Sequence, residues 1–379
     1  MIKLILLYLI KFLLSLFRIF SIKENQFFFE SYQGKQFSCN PKAIFEYCTK
    51  NYSNKVFVWS LNEKFNFSEY SSVNKIIQVK PKSLKYYFYL LTSKYVFTNI
   101  ELSTFIPKRK NSIWVNTWHG GGAFKKVEHL KTNFYSKVTK KIQQKNTDFY
   151  ISSSKIFTQV MSNSTGIGED KFLKIGMPRN DIFFENQNEQ NKIKQKVKDF
   201  YKIPDENLIL LYAPTYRGNA NSANFNMELN FELIKTKIEN KFNKKVSVLV
   251  RSHHCVNSLN VKHSFILNGT IYPDMQDLLV ASDILITDYS SCIWDFALTG
   301  KTGFLFVPDL EEYEKNRGLY TDIKTWPFLY AKTNEQLCNL IEEFDEKKSK
   351  IKIETYLTQM KNNDFGNSCK TLCKEILKI

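Results

Sequence analysis

Two doubly wound α/β domains are predicted by three features of this 379-residue chain. Short apolar runs alternate with longer amphipathic ones, the pattern of βαβ units and parallel sheets. The runs fall into two series on either side of a polar stretch, residues 185–204, rich in Asn, Gln and Lys. The length suits two domains of ordinary size. Composition agrees. Hydrophobic residues make up 43% and charged residues 24%, and 13 Gly with 9 Pro are too few for a collagen-like or disordered chain.

The first series offers strands at 27–30, 56–61, 76–79, 95–100, 113–117, 149–152 and 172–175, with helices at 41–51 and 81–91. The second offers strands at 208–213, 246–251, 265–267, 284–287 and 302–307. Right-handed crossovers between them build parallel sheets. The expected organisation is a first domain over 22–190 and a second over 200–350, facing each other across a cleft. A C-terminal helical segment is expected over 351–379, its last helix, rich in Lys over about 367–379, folding back over either domain.

Residues 1–21 form the one long apolar segment. At about 100° per residue, Lys3, Lys11 and Arg18 fall within about 80° of one another, and the rest of the circumference is Leu, Ile and Phe. A membrane span needs about 20 mostly uncharged residues, whereas the longest uncharged apolar run here is Leu4 to Ile10. No small-residue cleavage site follows, which argues against a signal peptide. The pattern fits an amphipathic helix lying in an anionic membrane surface. A core helix packed on the first domain is the alternative.

The charge sum, 54 basic against 37 acidic residues, gives +17. Such a balance favours phosphate-rich partners, but no RNP-type or helix-turn-helix signature occurs, so no nucleic-acid partner is expected. Walker, G-x-G-x-x-G, H-E-x-x-H and G-x-S-x-G patterns are absent at the places their chemistry requires. The seven cysteines, an odd number without a C-x-x-C pair, read as core thiols of a reducing compartment.

In parallel sheets ligands bind beyond the carboxyl ends of strands. The strand at 113–117 runs into Trp118, His119 and three glycines, followed by Lys125 and Lys126. Glycines there allow close approach of a phosphate or hydroxyl. Residues 176–181 end another strand in a turn carrying Arg179. In the second series, Thr215 and Arg217 follow one strand, Arg251, His253 and His254 the next, and Asp288, Ser290 and Ser291 a third. The two serines open a helix, a seat for phosphate, and Asp288 is either a ligand or a simple N-cap. Each motif alone has a purely structural reading; five such strand ends together favour a phosphate-binding site.

These residues carry a family resemblance. Residues 117–120 with the paired lysines, the turn 176–181, the stretch 212–217, Arg251-x-His253, and residues 277–291 occur in fixed order, followed by 295–297, 309–313 and Arg317-Gly318. The early stretches 29–34, 40–42 and 58–59 join them. The chain resembles the CDP-glycerol glycerophosphotransferase family, the teichoic acid primases and polymerases and their capsule relatives, over about residues 27–345. It departs from the family in three places: His254 replaces a proline, the glycine run after His119 is one residue longer than in typical polymerases, and Glu128 stands where glycine is common.

The resemblance implies a GT-B-like fold with the nucleotide donor on the second domain, and peripheral attachment to the cytoplasmic face of the membrane, where lipid-linked acceptors reside. The implied reaction is attack of an acceptor hydroxyl on the β-phosphorus of CDP-glycerol or CDP-ribitol, releasing CMP. His119 is assigned as base. His253, with Arg251, stabilises the pyrophosphate, and the two histidines can exchange roles. Ser290, Ser291 and Arg317 are assigned to phosphate, and Thr215 and Arg217 to the cleft wall. No metal and no cofactor is expected, Mg²⁺ arriving on the donor being the alternative. A nucleotide-sugar glycosyltransferase, distinguishable by its nucleotide product, and a non-catalytic scaffold, which has no need of two histidines, are the competing readings.

Overall fold

The computed structural model describes residues 2–70, 74–127, 133–215, 228–252 and 264–377. The chain divides into two units, one of residues 1–119, 127–181 and 363–379, the other of residues 120–126 and 182–362.

The first unit opens with α1 (Ile2–Ser15) and a 3₁₀ turn, Leu16–Ile19. Then come β1 (Lys23–Glu30), α2 (Cys39–Asn51), β2 (Val56–Ser60), β3 (Lys75–Val79), α3 (Leu84–Thr92) and β4 (Ser93–Thr98). β5 (Ile113–Asn116), α4 (Phe134–Asn146), β6 (Phe149–Ile151), α5 (Lys155–Thr165) and β7 (Phe172–Leu173) complete the sheet. Its order is β3-β2-β1-β4-β5-β6-β7, with every pair parallel. A parallel sheet is covered on both faces, so the central strand reads as an unbroken apolar run: Phe27, Phe28 and Phe29 are all buried. Successive side chains point to opposite faces. Phe27 and Phe29 pack with Phe57, Trp59 and Phe45 of α2, while Phe28 packs with Val58, Val96 and Leu90 of α3. Helix starts are capped as sequence chemistry requires: Ser83, Asn133 and Ser154 accept from the backbone N–H three residues on.

The second unit contains α6 (Gln187–Tyr201), β8 (Leu208–Tyr212), α7 (Phe231–Phe242), β9 (Val246–Val250), β10 (Ile266–Asn268), α8 (Met275–Ala281) and β11 (Ile284–Thr287). It continues through α9 (Cys292–Ala297), β12 (Thr302–Phe306), α10 (Leu310–Asn316), β13 (Leu329–Ala331), α11 (Asn334–Glu342) and α12 (Glu346–Met360). Its sheet runs β10-β9-β8-β11-β12-β13, again all parallel. In both sheets the strand order reverses once, between β1 and β4 and between β8 and β11.

Three features differ from expectation. The polar stretch 185–204 is the helix α6, belonging to the second unit and capped by Asn186. Its composition is that of an exposed helix whose narrow inner edge buries Val197 and ties Lys194 to Asp283 at 2.6 Å. β13 escaped notice because three residues give no readable alternation. The segment 351–379 is not one piece. α12 stays with the second unit, while the last helix, α13 (Ser368–Leu377), joins the first. Cys369, Leu372, Cys373 and Ile376 make one apolar stripe, and Leu372, Cys373 and Ile376 share a core with Ile44 and Cys48 of α2. The half-buried carboxylate of Asp181 accepts from the N–H groups of Ser368 and Cys369 at 2.9 and 2.8 Å, fixing the start of α13. Burial pushes the Asp181 carboxyl above the usual range despite those bonds.

This packing makes α13 part of the first unit's core. Leu372→Ala is expected to cost about 2–5 kcal/mol in denaturant unfolding, the usual result of emptying a buried leucine site. A loss below about 1 kcal/mol would mean that α13 is an appendage.

Candidate active site

His119 belongs to the turn after β5, and its ring reaches the strand-order reversal of the first sheet. Asn99, directly after β4, accepts from the N–H of Tyr32, just after β1, through its side-chain oxygen at 2.8 Å. The Asn99 backbone carbonyl lies 2.9 Å from Nδ1 of His119. A carbonyl only accepts, so Nδ1 carries the proton and Nε2 of the neutral ring carries the basic lone pair. Two aromatic rings bracket the imidazole, Trp118 at 4.4 Å and Tyr32 at 5.8 Å between centroids. The ring is half-buried.

The turn bearing His119 is held from behind. Trp118 has φ +52°, a left-handed backbone uncommon for a bulky residue. Its N–H donates to Asn116 Oδ1 at 2.9 Å, and its carbonyl accepts from Asn40 Nδ2 at 3.1 Å. Arg179 is buried, and its guanidinium donates to the His119 carbonyl at 2.9 Å and to the Cys39 sulfur at 3.3 Å. Expected as a substrate ligand, Arg179 thus has at least part of its guanidinium engaged by backbone.

The glycines after His119 also have a packing role. Residues 120–126 lie in the second unit, where a Cβ on Gly121 would sit 2.1 Å from Cδ1 of Trp294. The strand-like continuation bonds to the segment after Arg317: Lys126 N–H donates to the Gly318 carbonyl at 3.0 Å, and Tyr320 N–H to the Phe124 carbonyl at 2.9 Å. Phe124 packs on Trp326. At Gly121 an indole, rather than a ligand, fills the space that glycine leaves.

In the second unit the matching reversal is bridged by Asp288. One carboxylate oxygen accepts from the N–H of Thr215 at 2.8 Å and the other from its hydroxyl at 2.8 Å. The N–H of Tyr289 adds a third bond at 2.6 Å. Asp288 therefore joins the end of β11 to the chain leaving β8, and both residues are buried. Arg251, after β9, donates to the carbonyls of Gly269 and Tyr272 at 2.8 and 2.7 Å, bracing the turn after β10. Ser290 and Ser291 remain half-exposed at the end of β11. Cys292 beside them is no nucleophile, since burial pushes its thiol up to about 11. Tyr289 stacks on Tyr313 at 3.7 Å and donates to Asp309, which brings α10, with the exposed Arg317 at its end, beside this cluster.

The nominated residues therefore divide. His119, Ser290, Ser291 and Arg317 present functional groups at or near strand ends. Arg179, Arg251, Thr215 and Asp288 make bonds that hold the framework. His253 and Arg217 lie outside the described residues, as do His254 and Glu128. Among the described residues no group of three His, Cys, Asp or Glu side chains is placed to hold a metal. The sequence reading gave no role to Asn40, Asn99, Asn116 or the Tyr289–Tyr313 stack. Asn40 sits in one of the stretches carrying the family resemblance, but an asparagine before a helix reads first as a cap.

Removing the Asp288 carboxylate strands buried donors at two strand ends. Asp288→Ala is expected to lower stability by about 1–3 kcal/mol in urea unfolding, and Asp288→Asn, which keeps one acceptor, by less. Equal losses below about 0.5 kcal/mol would mean that the bridge carries no load.

Comparison with known proteins agrees with this architecture. Residues 12–378 match the CDP-Glycerol:Poly(glycerophosphate) glycerophosphotransferase family. The chain is 33% identical to the teichoic acid poly(glycerol phosphate) polymerase of Bacillus spizizenii, over 93% of this chain and 92% of that protein. It is 27% identical to the teichoic acid glycerol-phosphate transferase of Staphylococcus aureus, over 94% and 93%. The fold is GT-B-like and matches the wall teichoic acid polymerase TagF with a TM-score of 0.83 at 23% identity, over 100% of this chain and 95% of that one. The chain belongs to the CDP-glycerol:poly(glycerophosphate) glycerophosphotransferase family and is a phosphotransferase.

Proposed function

We propose that this enzyme moves an alditol phosphate, glycerol phosphate in the first instance, from a CDP-alditol to a hydroxyl of a lipid-linked or polymeric acceptor, releasing CMP. The relatives named above, a poly(glycerol phosphate) polymerase and a glycerol-phosphate transferase, support glycerol over ribitol. The observation that carries the chemistry is the Nδ1 bond of His119 to the Asn99 carbonyl. It leaves Nε2 as the basic nitrogen, and the same carbonyl stabilises the imidazolium that forms on proton uptake.

In the proposed reaction the acceptor oxygen bonds to the β-phosphorus of the donor. Its proton passes to Nε2 of His119, and the bridging oxygen leaves with CMP. Phosphoryl transfer is chiefly a problem of positioning and charge neutralisation. Arg317 and His253 are assigned to the pyrophosphate, and the Ser290 and Ser291 hydroxyls to its oxygens. Arg251 then serves by bracing the strand end that leads to His253, and Arg179 by holding the His119 carbonyl.

Attachment to an anionic membrane surface on its cytoplasmic face completes the proposal, and the packing of α1 supports it. The helix packs through Leu7, Ile10 and Leu14, a stripe on the same side as Lys3 and Lys11. Burial, then Lys145 and Arg18, lower the Lys11 pKa. The opposite face leaves Ile5, Leu9, Phe12 and Leu16 exposed, Phe12 at 66%. A helix serving only the core would turn that face inward. Burying each such side chain in lipid is worth about 1.5–3 kcal/mol. Among the described residues no helix is long and apolar enough to cross a membrane, which fits a helix lying in the interface.

Two experiments test this. His119→Ala and His253→Ala should each lower CMP release from CDP-glycerol by about 10²- to 10⁴-fold with melting temperature nearly unchanged; near-wild-type turnover in either removes that histidine from the mechanism. Leu9→Asp with Phe12→Asp should release the protein from phosphatidylglycerol vesicles without altering its stability, because both side chains are already exposed. Full retention on vesicles would place the contact elsewhere.

A further inference from the structure

We propose that Asn40 is a positioning residue for the transfer reaction, fixing the His119 ring by clamping the left-handed Trp118 that precedes it. The proposal rests on the reading of His119 as base and goes beyond it, to what sets the geometry of that base.

Asn40 is fully buried, and its carboxamide is spent on two turns. Nδ2 donates to the carbonyls of Thr117 at 2.9 Å and Trp118 at 3.1 Å, and it lies 3.7 Å from the Met177 sulfur. Oδ1 accepts from the N–H of Arg179 at 3.0 Å. Arg179 in turn donates to the His119 carbonyl. One side chain thus ties the turn carrying His119 to the turn at 177–179, with one bond on the residue before His119 and another on Arg179, which itself donates to the His119 carbonyl.

The backbone explains why such a clamp is needed. A tryptophan at φ +52° is held against its own preference. Its N–H is gripped by Asn116, and its carbonyl accepts from Asn40 and, at 3.2 Å, from the Thr117 hydroxyl. Cys39, adjoining Asn40, is also left-handed at φ +66°. Released from Asn40, Trp118 relaxes toward extended or right-handed backbone, and the His119 ring swings off the Asn99 carbonyl. The Nδ1 proton then loses its acceptor, and the fraction of rings with a basic Nε2 correctly aimed falls. A misplacement of about 1 Å that originates away from the chemistry can cost about 100-fold.

The test compares Asn40→Asp and Asn40→Ala with Gln26→Ala in the full-length protein. Gln26 is a buried carboxamide at the far end of β1, donating to Tyr89, Thr92 and Ser93. Histidine-selective ¹⁵N NMR reads the His119 tautomer directly, assigned with His119→Ala. Kinetics follow CMP release from CDP-glycerol. The Asn40 variants should lower kcat about 10- to 100-fold with KM for CDP-glycerol within about threefold. They should also move the His119 ring from Nδ1–H toward a mixed tautomer and shift the acidic limb of the pH–rate profile, where the base takes up its proton. Gln26→Ala should lower the melting temperature and change none of these. If the Asn40 variants do not fold, Asn116→Ala, which frees the Trp118 N–H, must produce the same tautomer change. Unchanged His119 nitrogen shifts with kcat within threefold in Asn40→Asp, or in Asn116→Ala where that variant stands in, overturn the proposal. That result leaves the base assignment intact, whereas an active His119→Ala overturns the assignment and leaves the tautomer result standing.

Discussion

A parallel strand that ends in the middle of a sheet leaves peptide groups beyond its last residue with no ladder to join. Those groups are buried, and a buried N–H or C=O without a partner is costly. In this protein side chains satisfy them. Asn40 and Arg179 take the carbonyls of residues 117–119, Asp288 takes the N–H groups of Thr215 and Tyr289, and Arg251 takes the carbonyls of Gly269 and Tyr272. With the strand ends locked in this way, His119, Ser290 and Ser291 stand on rigid supports. The polar residues around each site are therefore of two kinds, those that hold the backbone and those that it holds out.

That division sets how much of the site was legible in the sequence. Residue type and strand-end placement identified the clusters, because both follow from local pattern. They could not say which members the framework consumes. Arg179 and Arg251 look like phosphate ligands in a linear reading, since a carbonyl partner arriving from a distant turn leaves no local trace. Asn40 and Asn99 carried no legible role for the converse reason: a single asparagine at a helix start or after a strand is ordinary until its partners, 77 residues away for Thr117 and 67 for Tyr32, are known.

The fold was more legible, since strands buried on both faces announce themselves. Phe27–Phe29 and Ile284–Ile286 could hardly be anything else. The beginnings of β1 and β4 were placed late because Lys23–Gln26 and Ser93–Lys94 are polar, yet Gln26 and Ser93 are buried there, bonded to each other at 2.9 Å. α6 was taken for a joint because its exposed face dominates its composition. The place of α13 stayed open between the two domains because its stripe of Cys369, Leu372, Cys373 and Ile376 says that it must be buried, but not against what. α1 shows the same limit in reverse. Its basic third and apolar two-thirds were legible, and only packing revealed that Leu7, Ile10 and Leu14, on the side of the charges, face the protein while Lys3 and Arg18 stay exposed.

The proposed transfer attacks the β-phosphorus of the donor and not a sugar carbon. Purified enzyme given CDP-glycerol labelled at the β-phosphate, with a glycerol-phosphate-primed lipid acceptor in vesicles, tests it in one step. Attack at phosphorus puts label in the lipid-linked product and unlabelled CMP in solution, in equal amounts. Label leaving with the nucleotide as CDP, or turnover only with a nucleotide sugar, would contradict it.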